Sequence, residues 1–206
     1  SLNGSRFGFD FNPVPDRLRI VSNTDQNLRA NVDTGVTLKD TDLSYQTGDL
    51  FFGQNPNVIA SAYTNSFQPS PRTSPGTQLY GIDSVRNTLV LQVDPNAGLL
   101  QTVGSLGVDV SQLAGFDIFF DPLTQTNIGY AALQDIAEGV SRFYTIDLLT
   151  GQANAVGTEL GDLIDGIAAA PSSVPETGNT LAFLALAIGG MFAVQKLCAS
   201  PRRSAL

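Results

Sequence analysis

Asp94-Pro95-Asn96-Ala97-Gly98, followed by Val103-Gly104, and Asp147-Leu148-Leu149-Thr150-Gly151, followed by Val156-Gly157, set Asp, Gly, Val and Gly at the same offsets 53 residues apart. Each stretch reads as strand, Asp-to-Gly turn, strand. The Asp carboxylate accepts turn N–H groups, and Gly takes the positive φ that closes the turn. Upstream, Leu79-Tyr80-Gly81-Ile82-Asp83 and Thr88-Leu89-Val90-Leu91-Gln92 supply two more strands of the first copy. In the second copy, Phe116-Asp117-Ile118-Phe119-Phe120-Asp121-Pro122 and then Asn127 to Leu133 take those places. A copy therefore holds about four strands, the size of a propeller blade.

The same grammar extends to the N-terminal third. Phe9-Asp10-Phe11-Asn12-Pro13 mirrors the run at Phe116, and Asn12 to Asp16 reads as a turn. Arg17-Leu18-Arg19-Ile20-Val21 alternates at period two, with Leu18 and Ile20 on one face and the arginines on the other. After a turn at Asn23 to Asn27, Leu28 to Val32 repeats the alternation, and Asp33-Thr34-Gly35 closes it. The expected fold is all-β, built from propeller-like repeats of four-stranded antiparallel units. A sandwich of hairpins is the alternative. About three copies fall short of the roughly four to eight blades of a closed ring. The chain opens on Ser1 rather than Met. An incomplete propeller with further copies before Ser1, or an open stack of sheets, is expected. No basic segment followed by an apolar run opens the chain, so no signal peptide is visible.

Composition excludes several chemistries. The chain has 206 residues, formal net charge −8, no His, no Trp and one Cys. Without His there is no Ser-His-Asp triad and no His-ligated metal. One Cys leaves no internal disulfide and no all-Cys zinc site. Eleven basic against nineteen acidic residues argue against nucleic-acid binding, which needs a basic face. No phosphate loop, dinucleotide fingerprint or nucleophile elbow occurs. Catalytic, cofactor-binding and metal-binding residues are all expected to be none.

Carboxylates are the only acid/base groups in number. Asp10 and Asp117 match in place, as do Asp94 and Asp147, which points to structural work such as accepting turn N–H bonds. A glycosidase would instead need two carboxyls facing across a cleft about 5–10 Å wide. Asp40-Thr41-Asp42 lacks the Gly and Glu of a calcium loop. Arg17, Arg19 and Arg29 are expected on a solvated face, paired with Asp10, Asp16 or Asp25. Tyr63, Tyr80, Tyr130 and Tyr144 read as packing more readily than as sugar-stacking platforms. Residues 66–77 form a Pro/Ser-rich loop.

The C-terminal end differs in kind. Before it, eight basic and eighteen acidic residues give −10; the last 33 residues carry +2. Nineteen uncharged residues separate Glu176 from Lys196. As a helix they would span about 28 Å, close to the hydrocarbon core. Lys196, Arg202 and Arg203 would keep this end cytoplasmic and place the acidic domain across the inner membrane. The division expected is a β domain over 1–170, a linker and motif over 171–179, a transmembrane helix over 180–197 and a basic tail over 198–206.

Two resemblances follow from these residues. Val174-Pro175-Glu176-Thr177-Gly178, with the apolar span and terminal Arg cluster, resembles the VPDSG-like variant of the PEP-CTERM sorting signals. That implies recognition by an exosortase-type membrane protease, removal of the tail, and a cell-envelope protein that passes through the inner membrane to the surface or exterior. A link to extracellular polysaccharide is implied by the same analogy. The motif also resembles a Leu-Pro-x-Thr-Gly sortase signal, with wall anchoring as its consequence. The body, through Phe7-Gly8-Phe9-Asp10-Phe11-Asn12-Pro13, Ala62-Tyr63-Thr64-Asn65 and Leu106-Gly107-Val108-Asp109-Val110, is similar to the bacterial domain-of-unknown-function 4394 family. That family implies a secreted or surface β-domain without an established activity. The expected function is non-enzymatic. A glycan-active enzyme using Asp pairs and a permanently anchored binding module are the alternatives.

Overall fold

A computed structural model describes residues 1–66 and 76–170. Every regular element among them is a strand. The first sheet runs β1 (Phe7–Asn12), β2 (Arg17–Ser22), β3 (Asn27–Ala30) and β4 (Thr37–Lys39), in that order and antiparallel throughout. A short strand β5 (Ser44–Tyr45) leads into the second sheet, formed by β6 (Val58–Tyr63), β7 (Leu79–Asp83), β8 (Thr88–Asp94) and β9 (Leu99–Ser105). Its order is β5-β9-β8-β7-β6. The third sheet is β10 (Val110–Asp121), β11 (Thr126–Asp135), β12 (Ser141–Ile146) and β13 (Ala153–Glu159), again sequential and antiparallel.

Three four-stranded meanders are thus what the repeat anticipated. One departure is β5, which pairs parallel to β9 through Ser44 and Tyr45 and makes the second sheet five-stranded. A two-residue strand carries too little periodicity to be read from sequence.

The turns explain why the repeat is visible. Between third and fourth strands, Asp94 Oδ1 accepts the Asn96 and Ala97 N–H groups at 3.2 and 3.1 Å. Asp147 Oδ1 accepts those of Leu149 and Thr150 at 2.8 and 3.3 Å. Gly98 and Gly151 close these turns at φ 69° and 83°. The first sheet uses the same device with Asn31, whose Oδ1 accepts the Asp33 and Thr34 N–H groups, and Gly35 at φ 72°. The turn is therefore organised from Asn31 rather than from Asp33.

The first strands of the three meanders, β1, β6 and β10, are neighbours, with β6 touching both others. Glycine permits the approach. A Cβ on Gly8 would lie 2.5 Å from Ser61 N, and one on Gly115 would lie 2.5 Å from Ile167 N. Two apolar layers fill the gaps between successive sheets. Val21, Leu43, Tyr45, Val58, Val90 and Leu100 form the smaller one. The larger brings Ile59, Ala62, Ile82 and Leu89 of the second sheet against Phe116, Ile118, Leu133 and Tyr144 of the third.

Because sheets stack on both sides, strict in/out alternation fails. On β2 the buried positions are Arg19, Val21 and Ser22, while Leu18 and Ile20 are only partly buried. The arginine face of β2 is consequently only partly solvated: Arg19 is buried, while Arg17 is half-buried.

Candidate functional site

Strand alternation puts Arg17 and Arg19 on the same side of β2, and the β2–β3 register sets Arg19 directly opposite Arg29. Three guanidiniums therefore share one face of the first sheet, which looks toward Tyr63, Pro95 and Asn96 of the second. Arg19 is 2% exposed. Its Nη1 donates to Asn27 Oδ1 and Asp40 Oδ2, both at 2.7 Å, and its Nη2 to Asn96 Oδ1 at 3.0 Å. Its Nε points to the Tyr63 hydroxyl at 3.5 Å. Arg29 grips Asp40 with a fork, Nε to Oδ2 at 2.6 Å and Nη2 to Oδ1 at 2.8 Å.

Asp40, not Asp10, Asp16 or Asp25, is the partner of these arginines. Burial alone pushes the Asp40 carboxyl up, but the Arg29 and Arg19 guanidiniums outweigh it and hold it below its ordinary range. Arg29 is pushed further up by the same bond. Asn27, fully buried, ties the cluster to the second sheet by donating from Nδ2 to the carbonyls of Thr41 and Pro95. Such a network is costly to break because each member leaves another unpaired in a low-dielectric setting.

Arg17 is bound more loosely. Its Nη1 donates to the carbonyls of Pro15 and Asp16 at 3.2 and 2.9 Å. Arg17 and Arg29 line two adjoining cavities. One, of about 410 Å3, also touches Asn12, Arg19, Tyr63 and Asn96. The other, of about 310 Å3, extends along Asn31, Thr34, Val36 and Leu38.

A second cluster lies where the first strands meet. Asp10 on β1 accepts the Phe11 N–H at 2.7 Å and the Tyr63 N–H of β6 at 2.6 Å. Asp117 on β10 repeats this with Ile118 at 2.7 Å and Ala169 at 2.6 Å. The two residues are thus equivalent, as their sequence positions suggest, but instead of capping turns Asp10 joins β1 to β6 and Asp117 joins β10 to the segment at Ala169. Burial raises the Asp10 carboxyl to about 7, against the lowering bonds from Tyr63 and Phe11 and with help from the Asp117 charge. Burial raises Asp117 too, against its bonds from Ala169 and Ile118. A narrow cavity of about 60 Å3 is framed here by β1, β6, β10 and residues 165–167. Arg6 on one side pairs with Asp165 on the other at 2.8 Å.

Several other carboxylates serve the chain itself. Asp83, completely buried, accepts the N–H groups of Val85, Arg86 and Asn57 and the Tyr45 hydroxyl at 2.7 Å. Burial, then the bond to Asp83, drives the Tyr45 hydroxyl well above its ordinary value. Asp121 and Asp147 are held low by turn N–H donors, first those of Leu123 and Leu149. Tyr63, Tyr80 and Tyr144 are buried in packing, and Tyr130 stacks on Phe143 at 5.5 Å between centroids. Of the Asp40-Thr41-Asp42 run, Asp40 is taken by arginines and Asp42 by Lys39. Among the described residues no three Asp, Glu, Cys or His gather as a metal site.

The arginine cleft is built on Arg17, Arg19 and Arg29, which the alternation of the sequence already groups. Period-two spacing does put Arg17 and Arg19 on one face. Only the stacking of the second sheet turns that face into a cleft. The sorting motif Val174 to Gly178, the apolar span and the basic residues Lys196, Arg202 and Arg203 lie outside the described residues, as do residues 67–75.

In comparison with protein families, residues 1–168 fit the family model described as Domain of unknown function (DUF4394). No curated protein matches the chain.

Proposed function

The chain belongs to this DUF4394 family, and from that premise we propose that it is a non-enzymatic, exported β-domain of the bacterial cell envelope or extracellular space. The observation that carries this reading is how the acids are used. Asp10 and Asp117, the pair nearest to a catalytic arrangement, each spend both oxygens on backbone N–H groups. Carboxylates bonded to the backbone through both oxygens tie separate parts of the chain together, a use that favours a structural role over a catalytic one. The three meanders, arranged with their first strands around a narrow cavity that residues 165–167 also frame, support a propeller-like array.

Delivery would come from the tail. Val174-Pro175-Glu176-Thr177-Gly178, the charge-free run and Lys196, Arg202 and Arg203 have the layout of a sorting signal read by an exosortase-type membrane protease. The domain would then pass through the inner membrane to the surface or exterior and meet extracellular polysaccharide. Intact mass of the mature protein from its native host, with fractionation, tests this. Loss of the residues beyond about Gly178 is expected. An uncut chain held in the inner membrane would overturn the sorting step and leave a permanently anchored module.

One observation favours a second reading, a glycan-active enzyme. A carboxyl at about 7 beside another carboxylate is the profile of a general acid. That enzyme would lose all turnover in both Asp10→Asn and Asp117→Asn while keeping its fold.

A further inference from the structure

We infer that the cleft between the first and second sheets binds a carboxylate-bearing sugar chain, with Arg17 and Arg29 reading the charge. This deepens the proposed function, since it rests on a domain that meets polysaccharide.

Charge is the first argument. The cleft is lined by three guanidiniums, two of them paired with one carboxylate, Asp40, inside a chain of formal net charge −8. Folding accounts for only part of this. Arg19 is consumed by the buried network, but among the described residues Arg17 donates only to two nearby carbonyls.

Orientation is the second. Asp40 holds Arg29 by its Nε and Nη2 edge, which leaves Nη1 without a hydrogen-bond partner among the described residues. The Arg17 Nε and Nη2 are likewise without one there. Guanidiniums fixed on one side present preorganised donors on the other, and their planar fork matches a carboxylate. Because Asp40 sits among them, each added negative charge also meets a carboxylate. One charge per sugar, as on a uronate, suits this better than a dianionic phosphate.

Shape is the third. Two cavities of about 410 and 310 Å3 share Arg17 and Arg29, so the space is elongated across both arginines. Each is of the size that holds small ligands. Asn31 and Asn96 offer amide groups to hydroxyls, while Val36 and Leu38 offer apolar surface to ring C–H faces.

The test uses the full chain in detergent micelles, titrated calorimetrically with galacturonate oligomers. Binding is expected, with methyl-esterified oligomers bound at least tenfold more weakly. Arg17→Gln and Arg29→Gln should each weaken binding by about 10- to 100-fold, the range for losing a charge-assisted hydrogen bond. Arg17→Gln removes no partner from the buried network, so an unchanged far-UV circular dichroism spectrum should accompany its loss of binding. Equal binding of the esterified oligomer overturns the inference, as do an unaffected Arg17→Gln and Arg29→Gln pair, tighter competition by inorganic phosphate, or no binding at all. A processed tail with no binding removes this site alone. Binding by a chain whose tail is never cut removes the sorting step alone.

Discussion

Asp10→Asn is the most informative single change, because its effect must depend on pH in a particular direction. The Asp10 carboxyl titrates at about 7 in the folded protein and at 3.8 in a free chain. Between those values the folded state holds a proton that the unfolded state has lost. Stability therefore falls as pH rises through that window and levels off above about 7. At about 1.4 kcal/mol per unit, a gap of roughly three units amounts to about 4 kcal/mol between acid and neutral pH. Asparagine carries no charge, so that penalty disappears. It keeps one acceptor for the Phe11 and Tyr63 N–H groups where Asp10 supplied two, at a cost of about 1–2 kcal/mol. The variant should be less stable than the parent near pH 4 and more stable near pH 8, by about 2 kcal/mol or more. With no Trp in the chain, urea unfolding is best followed by far-UV circular dichroism at several pH values. Taking the difference between parent and variant cancels other titrating groups. Parallel stability curves from pH 4 to 8 would refute the buried-carboxylate account of Asp10.

Two further changes test the packing. Gly8→Ala puts a Cβ about 2.5 Å from the backbone of Ser61, which cannot yield as a flexible side chain would. A loss of about 1–3 kcal/mol is expected, or about 2–4 °C of Tm per kcal/mol, whereas Gly166→Ala, with nothing within 4 Å, should stay within about 0.5 kcal/mol; scanning calorimetry compares them. Asp40→Asn strips the carboxylate from Arg19 and Arg29, with Arg19 buried, and should cost about 3–5 kcal/mol in urea unfolding.

Much of the fold was legible because its signals are local. In the turns at Asp94, Asp147 and Asn31 the acceptor side chain bonds N–H groups two and three residues ahead. The same spacing recurs in sequence as in space. Such short-range bonds, with period-two runs such as Arg17 to Val21, determine strands, turns and the four-strand unit without knowledge of what lies beside them. The matching places of Asp10 and Asp117 were readable too, but not their bonds, which go to Tyr63 and Ala169 instead of to turn N–H groups.

What the sequence did not determine depends on stacking. Asp10 finds Tyr63 at a separation of 53 residues, and Asp117 finds Ala169 at 52. Arg19 meets Asn96 at a separation of 77. No local pattern states which sheet will cover the arginine face of β2. Alternation marks two faces of a strand, and Leu18 and Ile20 look like the buried one. The deciding quantity is the free energy of closing the second sheet over the first. That closure buries Val21, Tyr45 and Val90 together and carries Arg19 inside, where Asp40, Asn27 and Asn96 must satisfy it. Strands and turns were therefore settled within each unit. The cleft, its charge and its partners came from how the units lie against one another.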